Sequence, residues 1–257
     1  MTRHIDLHGV DNFRDFGGYA TACGRGLKRG LLYRSANHAH ATPADLEAMG
    51  ALGVSVVVDL RRVAEREREP SRRWADFAAQ VIENDIDGDH EDWAAGLRDV
   101  HITPEWFRAD GIGFYRKAPY EPRHVELFAR YFRAMAETDG AVIVHCAAGK
   151  DRTGLICALT HHVAGVSRED MLADYLLTND PDRITRRAQR LITFIGRHVG
   201  KTLDEATARI AVSVDPAYLD AAFETIDAAH GGLDGYLEEV LGLDAALRER
   251  IRERILA

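Results

Sequence analysis

Two short segments, Val54–Leu60 and Ala141–His145, are nearly unbroken series of β-branched and apolar residues, each preceded by glycine. A strand that shows no alternation between apolar and polar positions is covered on both faces, so such runs demand layers above and below the sheet they join. Leu31–Arg34 is a third candidate strand. Between and after these runs, apolar residues recur at helical spacing: Val125, Phe128, Phe132 and Met135, then Ile184, Ala188, Leu191 and Ile195, then Leu219, Phe223 and Ile226. Helices that alternate with buried strands predict βα crossovers, hence an α/β fold with a central, mainly parallel sheet flanked by helices on both faces. Helix starts are marked at Thr42-Pro43, Thr103-Pro104, Asp180-Pro181 and Asp215-Pro216. There a side-chain oxygen caps an orphan amide, and proline fills the first helical position without needing a hydrogen-bond acceptor. Ser167 with Asp170 resembles a capping box.

A chain of 257 residues suits one domain spanning 1–257. Its net charge of −8 argues against a nucleic-acid partner, which calls for a dominant basic surface. The apolar runs are far too short for a transmembrane segment, and the charged N-terminus lacks a signal peptide's apolar core. The three cysteines, Cys23, Cys146 and Cys157, do not form a disulfide framework, so a cytoplasmic location is expected.

The segment from Val142 to Leu155 carries the chemistry: a buried strand ending at His145, then Cys146-Ala-Ala-Gly149-Lys150-Asp151, then a helix beginning near Arg152. Such a turn gathers unpaired backbone amides at the positive end of a helix dipole. The small residues Ala147, Ala148 and Gly149 keep the cradle open, while Lys150, Arg152 and Thr153 can add donors to a bound phosphate. Arg152 offers a planar fork that fits two phosphate oxygens. At the cradle's floor, Cys146 would feel the same field, which lowers a thiol from its free value of about 8.5 and makes it a nucleophile. A lone cysteine after a strand is ordinarily inert core. The six-residue step from Cys146 to Arg152, with Gly-Lys between and Thr-Gly after, is what argues for function. The sequence does not fit a nucleotide-binding Walker loop, because Asp151 follows the lysine and Val144 stands where the first glycine belongs. Nor does any second Cys/His cluster with ligand spacing accompany His145-Cys146, so no metal is expected. His161-His162 reads as partly exposed helix surface.

His145-Cys146 through Arg152-Thr153-Gly154 resembles the HCxxGKxRTG signature of protein tyrosine phosphatases, and the form with aspartate before the arginine resembles the bacterial tyrosine-protein phosphatases that also hydrolyse phosphoinositides. The likeness extends to Asn12–Tyr19, Leu32–Ser35, Val58–Arg61, Asp174–Leu177 and Gly235–Gly242. It implies a cysteine-dependent phosphatase with no cofactor, whose substrates are phosphotyrosine proteins or phosphoinositides. It also implies a helical lid within residues 180–212. The lysine that lipid phosphatases of this loop type carry just after the nucleophile is replaced by Ala147, so phosphotyrosine is the favoured substrate. A small inositol or sugar phosphate phosphatase and a phosphate-binding pseudophosphatase are the alternatives.

Expulsion of an alkoxide or phenoxide calls for a general acid. No aspartate lies between Gly111 and Glu137, and Asp110 is poorly placed in sequence. Asp151, adjacent to Arg152, is the expected donor, as in the myotubularin-type phosphatases it resembles. It could instead simply pair with Arg152, leaving Asp85 or Asp87 to act from a strand end. Arg34, Asp59 and Arg61 follow strand candidates and either support the phosphate site or form ordinary ion pairs. Arg14-Asp15 reads as structural and Cys157 as buried packing. Arg183, Arg187, Arg190 and Arg197 recur along one helix, either to recruit an anionic substrate or as a solvated face.

Overall fold

The computed structural model describes residues 3–86 and 93–257, with Trp93 and Ala94 described by backbone alone. Five strands, β1 (Arg14–Asp15), β2 (Leu32–Ser35), β3 (Val54–Asp59), β4 (Gln80–Ile82) and β5 (Ala141–His145), form one sheet in the order β1-β2-β5-β3-β4. Only the β1–β2 pairing is antiparallel. The mainly parallel α/β fold with helices on both faces is therefore as the apolar runs require.

The faces differ in thickness. Val56 and Val58 of β3 and Val142 and Val144 of β5 point to one side, where Phe128, Phe132, Leu155 and Ile156 bury them. Val57, Ile143 and Tyr33 point to the other, onto Val10, Phe13 and Met49. That thinner side is covered by the N-terminal segment and helix α1 (Pro43–Gly50). At the strand ends follow α2 (Val63–Arg68) and α3 (Trp93–Gly96). The thicker layer is built around α4 (Pro104–Lys117), α5 (Pro122–Glu137), α6 (Asp151–Ala164) and α7 (Arg168–Leu176). Then come α8 (Pro181–His198) and α9 (Glu205–Val212), which share a separate apolar cluster of Leu97, Phe107, Ala188, Ile195, Leu203 and Ala208. The chain ends in α10 (Pro216–His230), α11 (Leu233–Glu239) and α12 (Ala245–Ile255).

The four cap-proline pairs all open helices, with Thr42, Thr103, Asp180 and Asp215 each accepting from a backbone amide of the first turn. Ser167 likewise caps α7 by accepting from the Asp170 amide. One local reading is corrected. His162 is half-buried beside Asp234, but His161 is fully buried and donates through Nε2 to the Phe16 carbonyl, 2.8 Å away, because the segment between β1 and β2 crosses that turn of α6.

Beneath the sheet's carboxyl edge lies a fully buried charge cluster. Asp174 on α7 accepts from Arg14 Nε at 3.2 Å and from Arg34 Nη1 at 2.8 Å. Burial alone would raise the Asp174 carboxyl, but the two guanidiniums hold it well below the usual carboxylate range. Removing one member of a buried ion cluster leaves its partners uncompensated. Asp174→Asn should therefore cost about 3–5 kcal/mol, read as a lower urea midpoint with an unchanged m-value.

Candidate active site

β5 sits between β2 and β3, and its last residue is in register with theirs, so Ser35, His145 and Asp59 form one row across the carboxyl edge of the sheet. Ligand sites of α/β sheets lie beyond this edge. Here the chain leaves β5 through residues 146–150 and enters α6 at Asp151, one residue before the expected start.

The loop's shape follows from where its carbonyls go. Ala147 O accepts from the Asn37 backbone and side-chain amides, each at 3.2 Å. Ala148 O accepts from Arg183 Nη2 at 2.8 Å. Gly149 O accepts from Asn12 Nδ2 at 2.7 Å and Arg34 Nη2 at 3.1 Å. In a trans peptide the N–H points opposite to the C=O, so carbonyls fixed to the outside turn the amides toward the loop's interior. Gly149 has φ +63°, and a Cβ there would lie 2.5 Å from the Ser35 carbonyl group, so no other residue fits.

Cys146 is buried at the base of this loop. Burial pushes its thiol up, but the Arg152 guanidinium and the neighbouring Thr153 outweigh it and bring the thiol below its ordinary value. Cys157, one helical stretch further on, has only burial acting strongly and is pushed up to about 12. The two thiols are thus shifted in opposite directions, and Cys157 is buried packing as expected.

Arg152 is held by a residue that sequence reasoning did not select. Glu65, at the third position of α2, accepts from Nη1 at 2.6 Å and from Nη2 at 2.7 Å, and Leu60 O takes the other Nη1 hydrogen at 3.1 Å. Of the five guanidinium donors, the Nε–H and the second Nη2 hydrogen have no partner among the described residues, and these form a complete bidentate edge. Burial raises the Glu65 carboxyl, yet its pairing with Arg152 holds it down at about 2. No local motif marks Glu65, because its partner is 87 residues away.

The other expected site residues fall into place unevenly. Asp151 lies at the first turn of α6 and lines the cavity, but Arg152 pairs with Glu65 and not with it. Lys150 Nζ is turned away to Ala211 O and Ser213 O, at 2.8 and 3.2 Å. Asp59 and Arg61 are paired with each other at 2.6 Å, and Arg61 also binds Glu69 O and Ser71. His145 lies 3.6 Å from Asp59 and against the His38 ring, with centroids 4.3 Å apart. Burial dominates its environment and lowers it to about 4, so it is neutral. Asp59, Arg61 and His145 thus form a buried group at the carboxyl ends of β3 and β5. Arg34 both pairs with Asp174 and binds the loop. Asp85 is corrected: it is exposed and paired with Arg66 at the surface. Asp87 lies outside the described residues.

Above the loop opens a cavity of about 850 Å³. Arg62, Glu65, Arg68, Ala148, Lys150, Asp151, Arg152 and Arg187 give it a polar floor and rim. Phe107 and Phe114 of α4, Leu191 and Phe194 of α8, Val212 of α9 and Tyr218 of α10 give it an apolar wall. Asp110 also lines it, which its place in the sequence did not suggest. Among the described residues no group of His, Cys, Asp and Glu could hold a metal ion, and no helix is long and apolar enough to cross a membrane.

The site thus joins, at the carboxyl edge of a mainly parallel sheet, a buried cysteine, a loop whose carbonyls are tied outward and an arginine that lines a cavity, in an α/β protein. The model of the tyrosine phosphatase family matches residues 5–257, and the chain belongs to that family, whose members hydrolyse phosphoric monoesters. It is 36% identical over 240 residues to a protein named as a tyrosine-protein phosphatase in Cupriavidus necator, covering 92% of this chain and 84% of that one. It is 28% identical over 280 residues to the triple specificity protein phosphatase PtpB of Mycobacterium tuberculosis, covering 98% of each.

Titration of the thiol tests the electrostatics. Absorbance at 240 nm or the rate of alkylation at Cys146 should show a midpoint below the free-cysteine value of about 8.5, and Arg152→Ala should move it upward. A midpoint at the free value would contradict the geometry.

Proposed function

We propose that the chain is a cysteine-dependent phosphatase acting on phosphotyrosine-type monoesters through a thiophosphate on Cys146. The observation that carries this reading is the conjunction of a lowered, buried thiol with an Arg152 guanidinium that lines an apolar-walled cavity and keeps its Nε/Nη2 edge without a partner among the described residues. The phosphoryl oxygens would be bound by the amides of residues 147–152 and by the Nε/Nη2 edge of Arg152. The Cys146 sulfur attacks phosphorus as the bond to the ester oxygen breaks, and Asp151 gives its proton to that oxygen. A water molecule then attacks phosphorus, yields its proton to the Asp151 carboxylate, and releases phosphate as the S–P bond breaks. Each step is balanced by protein groups and water alone.

Two features bear on substrate. The aromatic and aliphatic wall suits an aryl ester, which favours phosphotyrosine. The cavity's breadth and its rim arginines, Arg62, Arg68 and Arg187, support a second activity on phosphoinositides, in keeping with the triple specificity named for the Mycobacterium tuberculosis relative. Residues 180–212, which touch the loop through Arg183 and Ala211 and line the cavity through Arg187, Leu191, Phe194 and Val212, would act as a helical lid on a single 1–257 domain. Free Cys23, Cys146 and Cys157 fit work in a reducing cytoplasm.

The deciding measurement is kcat/KM on phosphotyrosine peptides, phosphoserine peptides, phosphoinositides and inositol phosphates. Phosphotyrosine peptides should lead and Cys146→Ser should abolish turnover; retained turnover in that variant would refute the mechanism. Asp151→Asn should lower kcat by about 10²-fold or more on alkyl phosphates and far less on p-nitrophenyl phosphate, whose leaving group needs no proton. Equal losses on both would remove Asp151 as the acid, and binding without any turnover in the native chain would mark a pseudophosphatase.

A further inference from the structure

Lys150 stands in the middle of the phosphate loop, yet its ammonium is committed elsewhere. It donates to Ala211 O at 2.8 Å and Ser213 O at 3.2 Å, and it faces the Asp151 carboxylate as an ion pair, with Oδ2 at 3.6 Å. The first two acceptors belong to the carboxyl end of α9, whose last carbonyls lack intrahelical partners and carry the negative end of the helix dipole. That end is itself fixed. Asn179 Nδ2 donates to Val214 O and Val214 N donates to Asn179 Oδ1, both at 2.8 Å, clasping the chain just beyond α9 to the turn that follows α7. A largely buried ammonium needs acceptors for every donor. For Lys150 to turn to a phosphate it would have to strand two carbonyls and give up the cap of α9.

We infer that Lys150 is a positioning residue for Asp151, not a phosphate ligand: pinned to the carboxyl end of α9, it holds the Asp151 carboxylate where the leaving oxygen must emerge. The end of α9 thereby takes part in proton transfer through its backbone carbonyls, since the acceptors that locate the ammonium come from there and the group that it locates lies on α6. This inference rests on the reading of Asp151 as the general acid.

The test compares Lys150→Met, Lys150→Arg and Asp151→Asn, singly and with the first and last combined, on p-nitrophenyl phosphate and an alkyl phosphate, with inorganic phosphate as a competitive inhibitor. Lys150→Met should lower kcat on the alkyl ester about tenfold or more. It should leave p-nitrophenyl phosphate within about threefold, and the inhibition constant for inorganic phosphate within about twofold. Lys150→Arg should recover part of the alkyl activity, and in the Asp151→Asn background Lys150→Met should add little. A rise of about tenfold in the phosphate inhibition constant with an unchanged leaving-group ratio would make Lys150 a phosphate ligand and overturn the inference. So would an equal loss on both esters, which signals a merely structural part. If Asp151→Asn shows no leaving-group dependence, the acid assignment falls and takes this inference with it. A clear effect of Asp151→Asn beside none of Lys150→Met removes the inference alone.

Discussion

Three consecutive carbonyls, those of Ala147, Ala148 and Gly149, are held outward by Asn37, Arg183, Asn12 and Arg34. A loop that points several amide dipoles at one place without a ligand repels itself, because the positive ends of the dipoles crowd together. It persists only if the opposite ends of those dipoles are tied down. Two of the four ties are guanidinium groups, buried with side chains essentially free of solvent, and a buried cation needs its own counter-charge. For Arg34 that charge is Asp174, on the helix that follows α6. The loop's geometry therefore depends on an ion cluster that no substrate would reach.

The same logic reconciles an acidic chain with a cationic pocket. Around the site, Arg152 is paired with Glu65, Arg61 with Asp59, Lys150 with Asp151 and Arg187 with Asp11. Glu65 and Asp59 fix the directions of Arg152 and Arg61 and occupy part of their hydrogen-bonding capacity, while Lys150 is fixed by the carbonyls at the end of α9. What a ligand meets is not a cloud of positive charge but the edge left over, most clearly the Nε/Nη2 side of Arg152. Exposed pairs of the same types would be worth only about 0–1 kcal/mol and would fix little. Here burial makes them positional.

What could be read from the sequence was whatever depends on neighbours in the chain. The strands β3 and β5 were legible because burial on both faces leaves an unbroken apolar run, and the helix starts because cap and proline are adjacent. β1 and β4, two and three residues long, carry no pattern of their own and exist only through pairing with β2 and β3. The strand–loop–helix with Cys146 and Arg152 was visible whole, since its parts are contiguous. Glu65 was not, nor the burial of His161 under Phe16, nor the direction of Lys150, because each is settled by a contact between distant segments. Arg34 was ambiguous for a sound reason: it is at once an ion-pair partner and a loop support.

Helix α8 shows how far periodicity alone can mislead. Its four arginines, spaced by four, three and seven residues, suggest one face, yet Arg190 and Arg197 are exposed while Arg183 binds the loop and Arg187 lines the cavity. The stripe that does face the site runs Arg183, Arg187, Leu191, Phe194, at steps of four, four and three residues, and its chemistry changes from charged to apolar along the helix. A helix rises 1.5 Å per residue, so the cationic end and the aromatic end of this stripe are separated by roughly 16 Å. The charged end meets the phosphate loop and the apolar end closes the cavity above it. A ligand matched to that gradient carries its anion at one end and an apolar body at the other, as the aryl ester of the proposed reaction does.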